Sequence, residues 1–303
     1  TVAIGAPNNQ GNGDRSGHVR IYRYDTDTSS WIQRGSDIDG EATQDLSGRA
    51  TALSADGSTV VIGASNNDGT NGADSGQVRI YRYDNLSGSW LQLGSDVDGK
   101  TNGDRSGNSV SIASDGSIIA IGAKENDDAG TDSGHVRIFR YDSSAASWVQ
   151  LGGDINGEDT DDKTGSSISL AADGLTIAIG AEGNDNSGSE SGQVRVYRYD
   201  EESDTWLLMM KFGGSREDQL GSAVALSDDG TIVAGGAPYE DSTGSNSGHA
   251  LVYRSRSIET STISTSQSAD EALIGIKRSL EQILSMRSSY GAVVNRIEHA
   301  INN

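Results

Sequence analysis

Ser75-Gly76-Gln77-Val78-Arg79-Ile80-Tyr81-Arg82-Tyr83-Asp84 decides how this chain is read, because nearly the same ten residues begin at Ser16, Ser133 and Ser191. A weaker relative starts at Ser247 and runs Gly248-His249-Ala250-Leu251-Val252-Tyr253. Upstream of each copy lies a strand ending in Ile-Gly-Ala, at Ile4-Gly5-Ala6, Ile62-Gly63-Ala64, Ile121-Gly122-Ala123 and Ile179-Gly180-Ala181, with a degenerate fifth version at Gly235-Gly236-Ala237. Downstream lies a single tryptophan: Trp31, Trp90, Trp148 and Trp206 are spaced 59, 58 and 58 residues apart. A period of this length marks an array of supersecondary units, none of which buries its apolar surface alone.

The second unit serves as the model. Arg49 to Ser54 alternates small and apolar residues and ends at Asp56-Gly57. Asp-Gly between two strand-like runs predicts a two-residue hairpin turn with φ > 0 at both positions, and it recurs at Asp115-Gly116, Asp173-Gly174 and Asp229-Gly230. Thr59 to Ala64 is a continuous apolar run, as in a strand covered on both faces. A polar loop leads into Gln77 to Asp84, and a short turn reaches a strand over Trp90 to Gly94. A further polar loop closes the unit. Four antiparallel strands at this period predict a mainly β fold, a β-propeller of about five visible blades over residues 1–254 that forms all or part of a ring.

The 33% apolar fraction is low, yet with the 40 glycines included it reaches about 46%, an ordinary value for a globular chain. Net charge is −21, and from Arg256 onward five acids balance five bases, so the whole excess precedes that point. Such a surface repels phosphate backbones and anionic lipid, which argues against nucleic acid as a partner. No apolar run approaches the roughly 20 residues that cross a bilayer, which argues against membrane insertion. The absence of cysteine excludes disulfides and thiolate metal sites. Because Thr1 falls inside a repeat, the chain is expected to be a fragment.

Leu220-Gly221-Ser222-Ala223-Val224-Ala225-Leu226-Ser227-Asp228-Asp229-Gly230-Thr231-Ile232-Val233-Ala234-Gly235-Gly236-Ala237-Pro238 resembles the FG-GAP repeats of integrin-α-type propellers, as does Ile4-Gly5-Ala6-Pro7 followed by Gly17-His18-Val19-Arg20-Ile21-Tyr22. The likeness covers residues 1–254. The family's calcium loop inside the first hairpin has shrunk here to a Ser/Ala-x-Asp-Gly turn, so its calcium residues have no matching positions.

A second acidic stretch recurs as Asp37-Ile38-Asp39-Gly40-Glu41 with Asp45, as Asp96-Val97-Asp98-Gly99 with Asp104, and as Asp154-Ile155-Asn156-Gly157-Glu158 with Asp162. Alternating oxygens around a tight glycine turn can surround calcium. The other reading is a set of side-chain-capped turns, and Lys100 in place of the glutamate in one copy favours it. Calcium is the one cofactor this pattern suggests.

Catalytic roles are each needed once, so they should break the repeat. His18, His135 and His249 share a position where Gln77 and Gln193 also stand, which reads as structural hydrogen bonding. Arg20, Arg79, Arg137 and Arg195 read as ion pairs between blades, and the tryptophans as inter-blade core. No nucleophile–base set and no phosphate loop stands out.

After Tyr253 the composition changes. Residues 255–268 form a Ser/Thr-rich linker, and Ser268-Ala269-Asp270-Glu271 has the form of a capping box. Beyond it Leu273, Ile276, Leu280, Ile283, Tyr290, Val294, Ile297 and Ile301 follow a heptad spacing, the seam of a coiled-coil-type helix over 269–303. Such a helix packs on a partner helix or on the propeller itself. The run Arg287-Ser288-Ser289-Tyr290-Gly291-Ala292-Val293-Val294-Asn295-Arg296-Ile297-Glu298-His299-Ala300-Ile301-Asn302-Asn303 resembles the start of the bacterial flagellin C-terminal domain, with Val294 where that family usually has glutamine.

These resemblances imply a structural, non-enzymatic subunit of an extracellular flagellar filament. Its helix would self-assemble with other subunits, and its acidic propeller would face the medium. The alternative is a secreted or cell-surface adhesion propeller that recognises protein or glycan.

Overall fold

The structure is a computed structural model that describes residues 1–241 and 244–254. These residues belong to one compact unit, Thr1–Ser255. The linker, the heptad seam from Leu273 to Ile301 and the flagellin-like run all lie outside the described residues.

Among the described residues there is no helix, and the strands form five antiparallel sheets. The first holds β1 (Val2–Ala6), β2 (His18–Asp25), β3 (Ser30–Gln33) and β4 (Ile38–Asp39). The second holds β5 (Ala50–Leu53), β6 (Thr59–Ala64), β7 (Gln77–Asp84), β8 (Ser89–Gln92) and β9 (Val97–Asp98). The third repeats it as β10 (Ser109–Ile112), β11 (Ile118–Ala123), β12 (His135–Asp142), β13 (Ser147–Gln150) and β14 (Ile155–Asn156). The fourth holds β15 (Thr164–Leu170), β16 (Thr176–Ala181), β17 (Gln193–Asp200) and β18 (Thr205–Gly213), and the fifth holds β19 (Ala223–Leu226), β20 (Ile232–Ala237) and β21 (His249–Arg254).

Two local expectations change. The acidic stretch is not purely loop: Ile38, Val97 and Ile155 are buried between flanking Asp or Asn residues and pin two-residue strands onto β2, β7 and β12. In the fourth sheet one long strand, β18, does the work of both, through a register shift opposite Val196/Tyr197. The Asp-Gly turn also differs. Gly57 takes φ +66° but Asp56 keeps a negative φ, and the Gly57 N–H closes a turn on the Ser54 carbonyl at 2.8 Å. The Asp56 carboxylate spans that turn, accepting from the Ser54 hydroxyl and the Ser58 N–H.

Period-two alternation then decides the packing. In β6, Val60 and Ile62 join Val19, Ile21 and Ile38 of the first sheet, while Val61 joins Ile119 and Ile121 of the third. Ile118 and Ala120 point the other way, to Ile177 and Ile179, and Ala178 meets Leu220 and Val233. The second, third and fourth sheets are therefore each sandwiched between their neighbours in chain order, and β6, β11 and β16 are buried at every residue. Each of these isoleucines contributes roughly 1.5–3 kcal/mol by leaving water.

Glycine sets how closely the sheets approach. A Cβ on Gly63 would lie 2.1 Å from the Gly107 carbonyl oxygen of the next sheet. The tryptophans clip the outer edges. Nε1 of Trp90, Trp148 and Trp206 donates to the carbonyls of Arg34, Leu93 and Leu151 in the preceding sheet, at 2.7, 2.7 and 2.9 Å. Trp31, in the first sheet, is 55% exposed.

The repeated arginines are not chiefly ion pairs. Arg79, Arg137 and Arg195 donate to the backbone carbonyls of Asp39, Asp98 and Asn156, and to the hydroxyls of Ser47, Ser106 and Thr164. The short strands β4, β9 and β14 leave those carbonyls available to the following sheet. Arg79 also has the Glu41 carboxylate at 3.5 Å, and Arg20 pairs with Asp37 within its own sheet.

Candidate metal centre

Where the second and third sheets meet, the loops bring together Lys100, Asp128, His135 and Asp154. His135 opens β12, Asp154 stands just before β14, and Asp128 lies in the loop between β11 and β12. Buried Asp104 organises the surroundings. It accepts the Lys100 N–H at 2.9 Å and the Asn126 side-chain amide at 3.0 Å, and Asn126 in turn accepts the Asp128 N–H. On the other side the Gln150 amide donates to Asp154 Oδ1 at 2.7 Å.

One ligand atom from each of Asp128, His135 and Asp154 falls within 4.8 Å of the others. His135 Nδ1 is 3.7 Å from Asp128 Oδ2. Lys100 Nζ reaches the same Asp128 oxygen at 2.5 Å and Asp154 Oδ2 at 2.9 Å. His135 is fully buried, and neither of its ring nitrogens has a hydrogen-bond partner. A buried imidazole without partners is unusual and calls for an explanation.

Burial, then the Arg137 charge, pushes the His135 pKa down to about 4, so the ring is neutral at pH 7 and carries a lone pair. Burial works to raise the Asp154 carboxyl, but hydrogen bonds from Lys100 and Gln150 hold it below its ordinary value. The same two carboxylates raise Lys100. The group thus comprises two carboxylates, a neutral imidazole and one ammonium set between the acids.

The residue types fit a cation. Ligands about 2.1 Å from a shared tetrahedral ion sit roughly 3.4 Å apart, so a small closure of the observed group suffices. One imidazole with two carboxylates suits zinc or manganese better than calcium, which prefers an all-oxygen shell.

Of the acids singled out in the sequence, Asp154 joins this group. Asp37 holds Arg20 and lies 3.7 Å from His18, with Asp39 at 4.0 Å. Asp96 and Asp98 accept from Gln77. Asp45, Asp104 and Asp162 are buried and accept backbone N–H groups of their own turns. Sequence reading passed over Asp128 and took His135 as structural. The signal was in the repeat. Two residues beyond the recurring asparagine stand Gly11, Gly69, Asp128 and Asn186, and Lys100 replaces Glu41 and Glu158. Two repeat-breaking residues meet here.

The next junction carries the reverse arrangement. Glu158 takes the place of Lys100, Lys211 that of Asp154, and Asn186 that of Asp128. Lys211 Nζ lies 2.7 Å from Glu158 Oε2, which also accepts from Asn186 at 3.1 Å. Three clefts of about 490, 380 and 280 Å³ lie elsewhere, beside Arg34 and Tyr83, beside Glu190 and Tyr239, and beside Asp37 and Trp90.

No family model matches the chain, and no curated protein matches it. Solved structures do. The periplasmic gluconolactonase of Pseudomonas aeruginosa is 16% identical, with 83% of this chain aligned to 67% of that one at a TM-score of 0.48. A candidate 6-phosphogluconolactonase from Bacteroides fragilis is 11% identical, 83% aligned to 63%, also at 0.48. A complex of KlAtg21 with the coiled coil of AgAtg16 is 15% identical, 79% aligned to 59%, at 0.49. The chain thus spans about three fifths to two thirds of the length of these structures. At such identities and scores they assign no activity to it.

These findings overturn the two resemblances. Neither flagellin nor an FG-GAP protein is among the structures named, and no family model supports either. The FG-GAP-like signature has a packing cause: its glycine sits where one sheet's backbone meets the next, as at Gly5 against Gly48 and Gly63 against Gly107. With the resemblances fall the filament subunit, the adhesion module and self-assembly through the C-terminal helix. The expectation of a non-enzymatic protein is corrected as well. It rested on the want of an unrepeated polar cluster, and Lys100, Asp128, His135 and Asp154 form one.

Proposed function

We propose that the stacked sheets are blades of a β-propeller and that this protein works through a divalent cation bound by Asp128, His135 and Asp154, acting on a small oxygen-bearing solute. The observation that carries the reading is His135: a fully buried, neutral imidazole, unpartnered at both nitrogens, facing two carboxylates. Three protein ligands leave coordination positions for water or solute, the pattern of reactive rather than purely structural centres. A cation bound there would supply Lewis acidity and a water of lowered pKa, the basis of ester, lactone or phosphoester hydrolysis. Asp104 and Gln150 keep the ligand loops in place, and Lys100 at the rim offers its ammonium to an anionic group of the solute.

Isothermal titration of the full chain with Zn²⁺, Mn²⁺ and Ca²⁺ tests this. Micromolar or tighter binding of one ion per chain is expected for Zn²⁺ or Mn²⁺, weaker for Ca²⁺, and lost in His135→Ala. Equal binding by wild type and His135→Ala would refute the site. The metal-loaded protein, screened against lactones, carboxylic esters and phosphate esters with and without chelator, then tests the hydrolytic part.

A further inference from the structure

We infer that Lys100 is a built-in competitor that holds the cation centre shut until an ion displaces it; this rests on the metal-centre reading above. Its Nζ lies between Asp128 Oδ2 and Asp154 Oδ2, at 2.5 and 2.9 Å, and so occupies the bite a cation would take. The ligands and the competitor come from different sheets. His135 opens β12 of the third sheet and Asp128 and Asp154 lie in the loops that connect its strands, whereas Lys100 follows β9 of the second. Ligand geometry is therefore set within one sheet, and the ammonium can leave without dismantling it. Its side chain is 39% exposed, and solvent lies within reach of the withdrawn head group.

The neighbouring junction shows that this placement is a choice of residues and not a demand of the fold. There the same three positions carry Glu158, Asn186 and Lys211, and a salt bridge forms with the charges exchanged. That junction also has Gln193 in place of histidine, so it keeps the clip but lacks the imidazole. Only the second–third junction couples a clip to an unpartnered buried ring among the described residues.

Displacement is competitive, so removing the ammonium should raise affinity. Titration of Zn²⁺ and Mn²⁺ into wild type, Lys100→Met, Lys100→Arg and Lys211→Met tests it, with thermal unfolding run on each variant. Lys100→Met should bind at least tenfold more tightly than wild type. Lys100→Arg, which keeps a cationic clip, and Lys211→Met, which removes the sister clip, should stay within about threefold of wild type. Loss of structure cannot mimic a gain in affinity. If wild type binds and His135→Ala does not, yet Lys100→Met binds no tighter, the competitor role is wrong and the metal centre stands. If no variant binds either ion, both fall.

Discussion

Lys100 and Glu158 occupy the same place in successive repeats and carry opposite charge, and each is met by its complement, Asp154 or Lys211, from the following sheet. These two junctions are thus closed by salt bridges at the same position with opposite polarity.

That compensation can be exchanged. Lys100→Glu alone would set a third carboxylate beside Asp128 and Asp154 and should cost about 1–2 kcal/mol. Adding Asp128→Asn and Asp154→Lys rebuilds the arrangement of the next junction and should recover most of the loss. Urea unfolding of the single and triple variants measures both; a triple variant no more stable than the single one would show that the clip does not act as a unit.

His135 gives the stability a pH dependence. Its folded pKa, about 4, is below the ordinary 6.5, so between those values the unfolded chain binds more protons. Stability is full above about pH 6.5 and falls as pH drops toward 4, by up to about 3 kcal/mol for the metal-free protein. His135→Gln, the residue found at the second and fourth repeats, should flatten this window. Denaturant midpoints from pH 7 to pH 4 would expose the difference, and parallel curves would count against it.

The tryptophan clips should differ by position. Trp90→Phe removes the bond to the Arg34 carbonyl and should cost about 1 kcal/mol. Trp31→Phe, at a side chain 55% exposed, should change stability by less than about 0.5 kcal/mol. Equal losses in equilibrium unfolding would contradict the clip.

Sheet spacing should tolerate no side chain at Gly63. Gly63→Ala drives a Cβ into the backbone at Gly107 and should destabilise by about 3 kcal/mol or more, whereas Gly153→Ala, with nothing within 4 Å, should be close to neutral. Thermal unfolding of the pair decides it.

Much of this architecture was legible in the residues. The 58-residue period, the apolar runs and the Asp-Gly turns located the main strands, because alternation and burial leave their mark in consecutive residues. The turn geometry was misjudged, since the Asp56 carboxylate's bridging of Ser54 and Ser58 is not visible in a dipeptide. The short strands β4, β9 and β14 were also missed, each resting on a single buried residue such as Ile38 between two acids.

The chain by itself determined that there would be repeated antiparallel sheets, and that interior strands such as β6 would be covered on both faces, because the side-chain period of a strand is a local property. Only the tertiary structure decided that Lys100, Asp128, His135 and Asp154 meet. They are scattered over more than fifty residues and two sheets, and the distances among them depend on how one sheet settles against the next, which no local pattern encodes.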